Sequence, residues 1–173
     1  MQHGMSAIIG YCMRVLGIDP GIGRTGWGVV EDALGSKVKV IAFGCIETLA
    51  RTDLSIRIEQ VFDGIIEIID RYKPQAVSVE DLFFNTNVST ALIVGQARGV
   101  VLLASAKHNI PVSSYTPLQV KIALTGYGRA EKMQVGKMVK VMLNLSEVPK
   151  PDDTADALAI GLTHLFSYKL KEK

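Results

Sequence analysis

Cysteine is scarce in this chain of 173 residues. Its two cysteines, Cys12 and Cys45, stand far apart and form no CxxC pair. That excludes a disulfide-stapled scaffold, argues against a structural zinc site and fits a reducing compartment. No apolar run is long enough to span a bilayer. The opening MQHGMSAIIGYC has no basic stretch ahead of its short apolar run, which argues against a signal peptide. There is no low-complexity segment, no repeat of fixed period and no Pro/Gly/Ser-rich linker, so a solenoid or a two-domain chain is not indicated. Charge of one sign is also lacking, since the net charge is only +2.

What is present is a chain with 48% apolar residues, enough for one well-buried domain. Met13 opens the run MRVLGIDPG, so residues 1–12 read as a flexible N-terminal extension and residues 13–169 as a single domain. Charge is unevenly placed. Between Pro117 and Lys150 the basic residues Lys121, Arg129, Lys132, Lys137, Lys140 and Lys150 face only Glu131 and Glu147, a net +4. Such a surface suits phosphates, although by itself it is as readily a solvated helix face.

The stretch LGIDPGIGRTGWGVV contains Gly21-x-Gly23-x-x-Gly26, the bare pattern of a dinucleotide fingerprint. That reading needs a helix to open at the third glycine. The chain continues with Trp27-Gly28-Val29-Val30, and Gly26 and Gly28 would each cost a helix roughly 1 kcal/mol relative to alanine. These residues suit a strand instead. With Lys37–Ile41 alternating, the first part of the chain reads as three antiparallel strands. Helical spacing of Leu54, Ile58, Val61, Phe62, Ile65, Ile68 and Ile69 predicts a helix over 53–72, with Thr52 or Asp53 as N-cap. A buried parallel strand is expected over 76–80. Then come a small-residue helix over 88–107, a strand over 111–115, and helices over 117–124, 130–145 and 152–169. The expected architecture is α/β: a mixed five-stranded sheet, three antiparallel strands then parallel additions, flanked by helices.

Asp19 ends the first strand and Glu80 the fourth, and neighbouring strands lie only ~5 Å apart. Asp153 and Asp156, three residues apart, project from one face of the first turn of the last helix. Singly, each has a plain explanation: a turn or helix cap, or a surface acid favoured by the helix dipole. Jointly they make poor sense without a cation. Oxygen ligands select magnesium or manganese, and the natural chemistry of such a site is phosphodiester hydrolysis with two ions ~4 Å apart.

The segments LGIDPGxxxTGWGVV, VEDLFF, GQARGV and DDTADALAIGLTH, in that order from Met13 to Tyr168, resemble the RuvC family of Holliday-junction resolvases. The resemblance implies a ribonuclease H-like fold and a cytoplasmic, magnesium-dependent homodimer. Two ions per site are implied, with manganese able to substitute. The implied activity is crossover junction endonuclease: paired symmetric nicks in four-way DNA junctions during recombination and repair. It also implies a branch-migration motor as partner, and no membrane. The family's catalytic and metal-site acids fall on Asp19, Glu80, Asp153 and Asp156. Its base-contacting phenylalanine falls on Phe83, and its phosphate-contacting lysines on Lys121 and Lys132.

Asp152 has no counterpart among those acids and reads as a helix cap, with a part in the site left open if the helix starts differently. Phe83-Phe84 would ordinarily be core. Beside a metal site, an exposed aromatic there can stack on an unpaired base. Arg98 and its small-residue helix fit close packing in their own core or a dimer face equally well. His164 lies eight residues beyond Asp156, ~12 Å along a helix, and reads as structural. His3 and His108 read as surface residues. Three other functions compete: a ribonuclease H-like enzyme acting on ribosomal RNA precursor, an ATP-binding module of the actin and hexokinase type, and a junction-binding protein that does not cut. The ATP module needs two domains where this chain has room for one. A non-cutting binder would carry four carboxylates that repel DNA.

Overall fold

The computed structural model describes residues 12–33, 37–81 and 88–171. In chain order the elements are β1 (Arg14–Asp19), β2 (Arg24–Ala33), β3 (Lys37–Glu47), α1 (Leu54–Tyr72), β4 (Ala76–Glu80), α2 (Val88–Lys107), β5 (Val112–Tyr115), α3 (Pro117–Thr125), α4 (Lys132–Met142) and α5 (Asp152–Lys171). The strands form one sheet in the order β3-β2-β1-β4-β5. Short connections make β1/β2 and β2/β3 antiparallel, while the long crossovers through α1 and α2 make β1/β4 and β4/β5 parallel. This is the mixed five-stranded sheet expected.

Central β1 carries a near-continuous apolar run because both faces of the sheet are covered. Val15, with Val30 and Ala76, packs beneath α3, α4 and α5. Leu16 and Ile18, with Val29, Val77 and Val79, pack on the opposite face against α1 and α2. The α1 stripe buries Val61, Ile65, Ile68 and Ile69. This helix ends at Lys73, which is left-handed with φ 47° and donates its N–H to the Ile69 carbonyl. Asp53 stands at the N-cap position of α1 without a side-chain capping bond, so the cap expected there is positional only.

Two elements differ in extent from expectation. β3 continues six residues beyond Ile41, to Glu47, and stays paired with β2 throughout. α4 is shorter than 130–145: Ala130 is buried in the turn ahead of it, and its last turn closes at Leu143, whose N–H donates to the Val139 carbonyl at 3.0 Å. No helix among the described residues is long and apolar enough to cross a membrane.

The approach of α5 to the sheet positions the site. A Cβ on Gly17 would run into the Ala157 carbonyl oxygen, and one on Gly26 into the backbone of Asp153. Only glycine lets the helix lie this close to β1 and β2. Gly26 therefore serves helix-on-sheet contact inside a strand, and its spacing from Gly21 and Gly23 has no part in cradling a dinucleotide.

Candidate active site

Asp19 and Glu80 sit at the C-terminal ends of neighbouring parallel strands. The register pairs Ile18 with Val79, which brings the Asp19 and Glu80 carboxyls side by side at the strand ends. Asp19 is also the cross-strand partner of Gly26, the residue against which the Asp153 backbone rests. The first turn of α5 is thereby delivered to the same sheet edge. Thr154, fully buried between the two helix acids, donates its hydroxyl to the Gly44 carbonyl at 3.2 Å and ties that turn to β3. Asp156 comes one turn after Asp153 and faces α4.

The acids repel one another in partly dry surroundings. Burial, then the charges of Glu80, Asp156 and Asp153, push the Asp19 carboxyl up to about 8. Burial and Asp156 likewise raise Glu80 above the ordinary carboxylate range. Burial raises Asp156 too, in spite of the Lys132 ammonium beside it. Lys132, the first residue of α4, places Nζ 2.7 Å from Asp156 and 3.7 Å from Asp152. Burial works against its charge, yet the bond to Asp156 and the surrounding acids hold its pKa above the usual lysine value. α4 is set in place by a reciprocal cap, in which Gln134 Oε1 accepts the Glu131 N–H at 2.7 Å.

Lys121 of α3 joins Glu80, Lys132 and Asp156 around a cavity of about 180 Å³ floored by Val120, Val135 and Ile160. The structure thus gathers Asp19, Glu80, Asp153, Asp156, Lys121 and Lys132 at one edge of the sheet. Among the described residues no group of three acidic, histidine or cysteine side chains is already drawn together as a metal cage. The donor set nevertheless fits a hard divalent cation. It offers carboxylate oxygens only, partly dried by burial, with several acids gathered around the single ammonium of Lys132.

Phe83 lies outside the described residues, as do Phe84 and the rest of 82–87. Asp152 is the first residue of α5, exposed and facing Lys132, where a helix cap was expected. Arg98 bonds within its own fold: Nη2 is 2.8 Å from Ser114 Oγ and 3.7 Å from Asp81, the residue after Glu80. His164 is buried and its Nδ1 lies 2.9 Å from the Tyr115 hydroxyl, in keeping with a structural role. His108 is half-buried, with Nε2 3.5 Å from Asp70.

Sequence alone did not single out Thr154 or Cys45. Cys45 pairs with Gly26, and burial, then the charge of Asp153, raises its thiol pKa. A hydroxyl between two acids on a helix turn was the available signal for Thr154. Cys45 had none, because its place depends on strand register.

The family model for crossover junction endodeoxyribonuclease RuvC matches residues 15–164. The chain is 51% identical over 155 residues to the crossover junction endodeoxyribonuclease RuvC of Caldicellulosiruptor saccharolyticus, covering 90% of this chain and 93% of that protein. It is 53% identical over 152 residues to that of Desulforamulus reducens, covering 88% and 93%. Among solved structures, Thermus thermophilus RuvC in complex with a Holliday junction substrate superposes with a TM-score of 0.88 at 40% identity, covering 92% of this chain and 96% of the other.

Proposed function

Because this chain belongs to the RuvC family of crossover junction endodeoxyribonucleases, we propose that Asp19, Glu80, Asp153 and Asp156 are the catalytic acids with which it resolves four-way DNA junctions. It is a metal-dependent nuclease of ribonuclease H-like fold, acting in recombination and repair. The observation that carries the site assignment is the convergence of acids from β1, β4 and the first turn of α5 beside two lysines.

The four carboxylates hold magnesium, two ions per site, with manganese as a working substitute. When bound, such ions make the attacking water more acidic and stabilise the leaving oxygen. The chain's own part is orientation. Asp19 and Glu80 are fixed by strand ends, and Asp153 and Asp156 by a helix turn that Thr154 anchors. Lys121 and Lys132 bind the phosphates flanking the cut, contacts that position DNA without reading its sequence. Phe83 stacks on a base unpaired at the junction centre.

Paired nicks in a two-fold junction call for a two-fold dimer. α2 supports this: Leu92 and Leu103, 64% and 55% exposed, share a face with Gly99, over which a Cβ would meet open space. We assign that face to the partner subunit, and a cytoplasmic branch-migration motor as further partner. The test is cleavage of a synthetic four-way junction beside duplex DNA and structured RNA. Magnesium-dependent paired nicks confined to the junction are expected. Equal cutting of the RNA would instead favour a ribosomal-precursor nuclease, and binding without cutting a junction-binding protein.

A further inference from the structure

The turn between α3 and α4 displays an aromatic ring that the acid and lysine site does not use. Tyr127 is 58% exposed, and Leu118 and Ile122, on which neighbouring Gly128 rests, are 56% and 50% exposed. This ring is held on a fixed mount. Gly126 turns the chain with φ 72°, and Thr125 Oγ1 donates to the Lys121 carbonyl at 2.7 Å while accepting the Tyr127 N–H at 3.1 Å. On the far side the Tyr127 carbonyl accepts the N–H of buried Ala130 at 3.1 Å. Gly128 keeps the turn folded down on Leu118, which a Cβ there would meet at 2.6 Å. With Leu118 and Ile122, Tyr127 leaves several large apolar side chains exposed around one firmly held turn, the kind of surface that marks a contact.

The surroundings say with what. Lys121 precedes the ring by less than two helix turns and lines the cavity beside Glu80 and Asp156. Arg129 is exposed two residues after it, and Lys132 five residues after it pairs with Asp156. Five residues of chain reach at most ~18 Å, so the ring lies within a few nucleotides of the acids. An aromatic face set among cations beside a phosphodiester site matches a nucleic-acid strand, whose backbone meets the charges while a base or sugar covers the ring.

We propose that Tyr127 is a second aromatic contact to the junction, stacking on the DNA strand that leaves the cut along the α3–α4 turn. The proposal rests on the junction-resolving reading and is separate from the role given to Phe83.

The experiment is single-turnover cleavage of a four-way junction at increasing protein concentration and several salt concentrations, with melting temperatures measured alongside. Tyr127→Ala should raise the half-saturating concentration about tenfold, leave the maximal rate within about twofold, and keep the salt slope of the parent. Tyr127→Phe and Tyr127→Trp should stay close to the parent, because stacking needs a flat ring. Arg129→Ala provides the contrast, losing about one unit of salt slope as a phosphate contact does. An unchanged half-saturating concentration for Tyr127→Ala overturns the proposal. So does a loss shared equally by Tyr127→Phe, which would assign the effect to the hydroxyl, and so does a loss that tracks a fall in melting temperature. A parent chain that cuts no junction would overturn the reading beneath it, an outcome distinct from these.

Discussion

At the scale of single residues, the site is a contest over the charge of Asp156. Its carboxylate is held by Lys132 at 2.7 Å, while exposed Asp152 stands 3.7 Å from the same ammonium. Asp156→Asn keeps the size of the side chain but removes a charge that holds a cation, so junction cleavage should fall by orders of magnitude with binding retained. Asp152→Asn removes only an exposed pairing of small energetic weight, and its cleavage rate should stay within a few-fold of the parent. Equal loss from both, in side-by-side rate measurements, would place Asp152 among the working acids.

Asp19 gives a pH signature. Its carboxyl is raised from an ordinary 3.8 to about 8, so the folded chain binds this proton more tightly than the unfolded chain does. Stability from this group is therefore full below about pH 4 and is lost as pH climbs towards 8, the reverse of a salt-bridged aspartate. Without metal, the melting temperature should decline from pH 5 to pH 8. Magnesium binds the ionised form and should raise the melting temperature more at pH 8 than at pH 5. Asp19→Asn should lessen the decline, with Glu80 and Asp156 keeping their own smaller part in it, and should weaken the magnesium response. A flat, metal-insensitive profile in the parent would refute the link between this burial and cation binding.

Between elements, the decisive contact is α5 on the sheet. Gly17 and Gly26 meet backbone atoms of α5, and backbone cannot swing aside as a side-chain tip can. Alanine at either position should cost ~1–3 kcal/mol or more of stability, read as a fall of several degrees in melting temperature. The two should differ in activity. Gly26→Ala pushes on Asp153 itself and should lose cleavage beyond what unfolding explains, whereas Gly17→Ala acts further along the helix, at Ala157. The small residues of β1 and β2 were plain in the sequence. Their purpose was not, because nothing local says that the last helix, more than a hundred residues away, lands on the first two strands.

For the molecule as a whole, the prediction concerns pairing of subunits. Leu92→Glu with Leu103→Glu places two charges on the exposed face of α2. The double variant should sediment as a monomer with an unchanged far-ultraviolet spectrum and should lose paired cuts. A dimer that survives both charges would remove α2 from the interface.

How far the sequence reached depends on what is local. Strand ends at Asp19 and Glu80, the one-turn spacing of Asp153 and Asp156, the span of α2 and the mixed sheet were all legible, because periodicity and termini are written in neighbouring residues. Four short motifs jointly carried the family resemblance for the same reason. Other features came only with the tertiary structure. β3 runs to Glu47 because a long partner strand sustains pairing through Gly44 and Cys45, where propensity is weak. Asp53 stands at a cap position yet makes no capping bond. Arg98 turns inward to Ser114 and Asp81, and the Lys132 ammonium settles on Asp156. Each of these depends on atoms brought together across long stretches of chain. A sequence determines which charges and faces an element carries, but which partner each one meets is decided by close packing of elements that share no local signal.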